Sequence, residues 1–92
     1  MINLKQAYEI ANREKGDSDI ITGCTSYEDK FYFSLYPKKY YNKTIPKGLI
    51  IEASYITVNK KNGEVAYVGI TDIIMNDEEY FDKCIELDIT NL

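Results

Sequence analysis

The sequence has no histidine and no tryptophan, only two cysteines and two prolines, and no apolar run of bilayer-spanning length. Each shortage closes off a class of chemistry. Histidine is the commonest general base, proton shuttle and metal ligand. Without it, Ser–His and Cys–His nucleophile pairs cannot form within the chain. Two thiols cannot complete a four-thiolate zinc site. Cys24 and Cys84 lie far apart and form no Cys-x-x-Cys redox pair. Secreted mini-proteins usually carry four or more cysteines, so both read as reduced side chains of a cytoplasmic protein, with a disulfide between them left open. A spanning helix needs about 18 consecutive apolar residues, and none is present. No basic stretch leads into an apolar one across Met1–Ile10, so no signal peptide is expected. The expectation is a non-enzyme with no cofactor and no bound metal.

What remains is a globular composition: 92 residues, 45% apolar, 28% charged. That suffices for one core and one domain spanning residues 1–92. Charge is unevenly placed. Residues 1–47 carry seven Lys and one Arg against six acids, whereas residues 48–92 carry three Lys against nine acids, for a total of −4. With a pI near 4.7, the chain is poorly suited to general nucleic-acid binding, which rests on clustered Lys and Arg. An acidic surface suits a basic protein partner better.

Asn3-Leu4-Lys5-Gln6 has the form of a capping box, and Leu4, Ala7, Tyr8 and Ala11 follow at helical spacing. This predicts a helix over Leu4–Lys15, closed by Gly16. Asp19–Tyr27 is rich in β-branched residues, with Gly23 marking a bulge or a close backbone approach. After the polar turn Glu28-Asp29-Lys30, Phe31, Phe33 and Leu35 alternate with Tyr32, Ser34 and Tyr36, a strand hairpinned to the previous one. Pro37–Gly48 reads as a long loop, of the kind that is often functional. Leu49–Asn59 reads as a third strand and Glu64–Ile70 as a fourth. They are joined by a turn in which Asn59 bonds its own backbone and Gly63 takes positive φ. Asn76 would cap a second helix over Asp77–Glu86, with acids in its first turn. The expected fold is α+β: a four-stranded antiparallel sheet with an N-terminal and a C-terminal helix, in the order α-β-β-β-β-α.

The segment Tyr55-Ile-Thr-Val-Asn-Lys-Lys-Asn-Gly-Glu-Val-Ala-Tyr-Val-Gly69, followed by Glu78-Glu79-Tyr80, resembles the immunity protein 35 family of bacterial polymorphic-toxin systems. In that likeness Ala7 and Ala11 are the paired alanines of the first helix and Asn59–Val65 is the signature hairpin. Glu78, Glu79 and Tyr80 belong to the closing acidic helix. The likeness covers about half the chain. Asn62 stands where Ser or Thr is usual, no Pro precedes the third strand, and the second helix lacks a Pro-Leu lead-in. The resemblance implies a small cytoplasmic protein that binds and neutralises a cognate toxin in the producing cell. A regulatory or chaperone-like interaction domain without a toxin is the alternative.

Several groups of residues are candidate contact sites. Asp77, Glu78, Glu79, Asp82, Glu86 and Asp88 face one lysine, Lys83, within twelve residues. They would steer a basic toxin such as a nuclease, or form an ordinary solvated helix face. Asp82 and Glu86 would be an i,i+4 pair, but no calcium-loop pattern surrounds them. Lys38-Lys39-Tyr40-Tyr41-Asn42-Lys43 mixes cations with aromatic rings. It reads as a protein-contact loop, a single-strand stacking platform, or a solvated loop over the sheet edge. Tyr32, Ser34 and Tyr36 share one strand face, with Tyr55 placed to join them. That face is either an open docking patch or covered by a helix. Asp17-Ser18-Asp19 resembles a metal motif but sits in an ordinary turn context. The candidate partner-binding residues are therefore Tyr40 and Tyr41, then Tyr32 and Tyr36, with Glu78, Glu79, Asp82 and Glu86 supplying charge. No membrane partner is expected.

Overall fold

A computed structural model describes the whole chain, Met1–Leu92. The first helix, α1, spans Leu4–Glu14 and is capped as expected. The Gln6 amide donates to Asn3 Oδ1 at 2.8 Å, and the Asn3 amide donates to Gln6 Oε1 at 3.0 Å. Ala7 and Ala11 are both fully buried, because their small side chains let the helix axis approach the sheet.

Strands β1 (Asp19–Tyr27) and β2 (Lys30–Pro37) form the expected hairpin, turned by Glu28 at φ 53°. The register slips between Ile21 and Gly23, so the bulge lies where Gly23 marks it. A Cβ at that position would stand 3.2 Å from Ser34 Oγ. A single 3-10 turn, Lys38–Tyr40, follows Pro37. Residues 41–53 then have no regular structure.

Strands β3 (Ser54–Asn59) and β4 (Val65–Gly69) are joined by the predicted turn. Asn59 Oδ1 accepts from the Lys61 amide and Asn62 Oδ1 from the Glu64 amide. Gly63 sits at φ +75°. The chain then departs from the expected plan. Helix α2 covers Ile70–Asn76, a second short helix, α3, covers Tyr80–Lys83, and a fifth strand, β5, covers Ile85–Leu87.

The class is thus α+β with an antiparallel sheet, as expected, but the sheet has five strands in the order β4-β3-β2-β1-β5. The single helix expected over Asp77–Glu86 is broken by Asp77, whose φ of −152° leaves the helical region, and by Cys84, which turns extended. Leu49–Ala53 is not strand either. The β2–β3 ladder ends at the Leu35–Ser54 pair.

Each sheet face carries its own layer. Under α1 lie Phe31, Phe33 and Leu35 of β2 with Ile56 and Val58 of β3. Phe33, Ile56 and Val58 are fully enclosed, each contributing about 2 kcal/mol of apolar burial. On the opposite face Tyr27, Tyr32, Ile73 and Tyr80 form a second cluster, joined by Tyr55, Val68 and Cys84. The molecule exposes 6442 Å², above the roughly 5,500 Å² usual for this mass. Its extents of 43 × 28 × 20 Å and the exposed segment 41–50 account for the excess. No helix is long and apolar enough to cross a membrane.

Candidate functional site

The tyrosine-bearing face has a covered half and an open half. The covered half is organised by Tyr80, whose ring lies 4.7 Å from that of Tyr32 and 5.4 Å from that of Tyr27, edge-on to the latter. Its hydroxyl bonds Thr25 Oγ1, while the Tyr27 hydroxyl donates to Asp77 Oδ1 at 2.8 Å. These bonds tie the α2–α3 segment to β1. They also explain why Asp77 leaves the helical region: its carboxylate reaches back to the sheet.

Tyr32 is therefore not an accessible anchor. It is 8% exposed, beneath α2 and α3. Tyr36, four residues further along β2, lies beyond that cover and is only half-buried. Its ring meets Tyr41 edge-on at 6.4 Å. Tyr41 is 48% exposed, and Lys39 Nζ lies 5.5 Å from the Tyr40 ring centroid. The three rings, with Thr22, Asn42, Lys43 and Thr44, wall a cleft of about 540 Å³. The structure thus brings Tyr36, Tyr40 and Tyr41 together and separates them from Tyr32.

Thr22 is the residue that sequence reasoning missed. The bulge leaves it exposed, with its hydroxyl 3.0 Å from Ser34 Oγ. It borders the tyrosine cleft and two others. One of about 230 Å³ opens beside Ser34, Tyr36 and Ile51, where the expected extension of the third strand fails to pair. One of about 470 Å³ lies between Gly23 and the Glu86–Thr90 segment. The only sequence signal for this role was Gly23.

The acidic candidates scatter. Glu78 and Glu79 precede α3, Asp82 lies on it, and Glu86 sits on β5 opposite Thr25. The i,i+4 relation of Asp82 and Glu86 is not realised on a helix. Glu79 is instead engaged by Lys83 at 2.8 Å. Along β2, the acidic helix end and the tyrosine cleft stand about 13 Å apart, the span from Tyr32 to Tyr36.

Every resolved shift in titration moves away from neutrality. Burial pushes the Cys24 thiol up to about 12 and the Tyr80 phenol up to about 12. Tyr27 is raised chiefly by the Asp77 carboxylate that accepts its hydrogen bond, and Tyr32 by burial. The Lys83 ammonium lowers Glu79 and is raised in turn, while hydrogen bonds from Thr90 lower Asp88. No three Cys, Asp or Glu side chains converge as a metal site. The tyrosine cleft offers ring faces, hydroxyls, one amide and one ammonium, which suit stacking and hydrogen bonding. No known family model, curated protein or solved structure matches the chain.

Proposed function

We propose that the chain is a non-catalytic immunity protein that binds and neutralises a cognate bacterial toxin in the cytoplasm of the cell that makes it. The observation that carries the reading is the open half of the tyrosine face. Tyr36, Tyr40 and Tyr41 form a concave aromatic site beside exposed hydroxyls, the side-chain chemistry enriched in protein-binding hot spots.

The resemblance to immunity protein 35 supports the same reading, and its positions have structural work in this fold. Ala7 and Ala11 seat α1, Gly63 makes the hairpin turn, and Tyr80 locks α3 to the sheet. These residues build the scaffold, which leaves the contact residues free to differ with the toxin. The partner this surface suits is a folded protein, with the acids around α3 favouring a basic one.

The test is co-expression with the product of the adjacent gene, followed by purification and assay of that product's toxicity. The proposal expects a stable complex and restored growth of cells carrying the toxin. Absence of association, with toxicity undiminished, would overturn it. Weak association with many unrelated proteins would favour a regulatory or chaperone-like domain instead.

A further inference from the structure

The two outer edges of the sheet differ in how they are guarded. At one edge β5 is only three residues long and pairs with Cys24–Ser26 alone, next to the bulge in β1. Short edge strands and bulges are common protections against strand addition, as are charged side chains and proline. At the other edge β4, Val-Ala-Tyr-Val-Gly, has no charge, no proline and no bulge.

The ladder fixes which groups β4 presents outward. The Asn59 amide donates to the Glu64 carbonyl and the Ile70 amide to the Ala53 carbonyl. Hydrogen-bonded pairs alternate along an antiparallel ladder, so Ala66 and Val68 bond inward to β3. Val65 and Tyr67 direct their amides and carbonyls away from the sheet. Gly69 does likewise, but its amide is already held by Asp72 Oδ2 at 3.2 Å. Two full donor–acceptor sets thus flank Ala66, which is exposed and small.

We infer that β4 is a self-pairing edge: two copies of this chain join β4 to β4 antiparallel about Ala66, making one continuous ten-stranded sheet. In that register Val65 of one copy exchanges two bonds with Tyr67 of the other, and the symmetric pair adds two more. Ala66 then faces its own copy at a non-hydrogen-bonded pair, where Cα atoms come within about 4.5 Å and the two side chains lie close together. A second copy is the occupant the edge fits: its two outward donor–acceptor sets are symmetric about Ala66 and so match an identical strand run antiparallel. The same pairing brings Lys61, before the strand, toward Asp72, after it, in the other copy. The inference does not depend on the toxin reading.

The test is sedimentation velocity of the full chain from micromolar to millimolar concentration, with amide exchange followed in parallel. Self-pairing expects the sedimentation coefficient to rise to that of a dimer, and the Val65 and Tyr67 amides to become protected in step. Ala66→Lys sets two ammonium groups across the axis at an exposed position. It should sediment as a monomer where the unsubstituted chain is a dimer. A monomer throughout, a dimer that Ala66→Lys leaves intact, or a dimer with Val65 and Tyr67 unprotected would each overturn the inference. So would protection of these amides that depends on the adjacent gene's product rather than on concentration. The exchange measurement needs no variant, so a failure of Ala66→Lys to fold does not weaken it.

Discussion

Cys24 and Tyr80 show how burial on the two sheet faces becomes a pH dependence. Their ordinary pKa values are 9.0 and 10.0, and the fold raises both to about 12. Below about pH 9 both groups are protonated whether the chain is folded or not, so their stabilisation is fully present. As pH rises from about 9 to 12, the unfolded chain releases protons that the folded chain keeps, and stability falls. The urea midpoint should therefore drop steadily above about pH 9, and Cys24→Ala should remove the earliest part of that drop. An equally steep decline in the variant would contradict this assignment. Gly63 makes a second residue-scale prediction. At φ +75°, with Ile2 Cδ1 at 2.8 Å from an added Cβ, Gly63→Ala should cost about 1–2 kcal/mol of unfolding free energy. An unchanged urea midpoint would refute it.

Among the elements, those built by local pattern were legible and those built by tertiary contact were not. Helix α1 announces itself through Asn3, Gln6 and its apolar spacing. The two hairpins do so through Phe31–Phe33–Leu35 and Asn59–Gly63. Helix α2 is opaque because Ile70-Thr-Asp-Ile-Ile-Met-Asn is rich in β-branched residues: in the sequence only its ends carry a signal, Ile70 as the close of the fourth strand and Asn76 as a helix cap. It becomes helical because Asp72 holds the Gly69 amide and Ile73 plugs the tyrosine cluster. In the sequence helix α3 and strand β5 look like one helix, because the Asp77–Tyr27 bond that redirects the chain spans 50 positions. The same holds for the site: the Tyr40–Tyr41 loop could be read, but Thr22 could not, because the bulge that exposes it depends on pairing. If Ile73 is the anchor of α2, Ile73→Ala should cost about 2–4 kcal/mol. Hydrogen exchange should then show residues 70–83 opening before the β1–β2–β3 ladder. Uniform loss of protection across the whole sheet would argue that α2 has no such separate anchorage.

At the scale of the whole molecule, the two layers leave one end of the tyrosine face free. Helix α1 fills one face, and the α2–α3 segment covers only the Tyr27–Tyr32 end of the other. The uncovered end holds the largest cleft and abuts the most exposed stretch of chain. The acids lie at the covered end, so a partner seated in the cleft meets them only at its margin. Rim charges of this kind act mainly on association rate, whereas enclosed aromatic side chains act on dissociation. The most direct measurement is the binding kinetics of the purified chain with the adjacent gene's product, compared for the unsubstituted chain, Tyr41→Ala and the Glu78→Lys/Glu79→Lys pair. A cleft that carries the affinity predicts that Tyr41→Ala costs about 2 kcal/mol, mostly as faster dissociation. The charge reversal should slow association and flatten its salt dependence. Binding by Tyr41→Ala within about 0.5 kcal/mol of the unsubstituted chain would contradict the account and place the contact surface elsewhere.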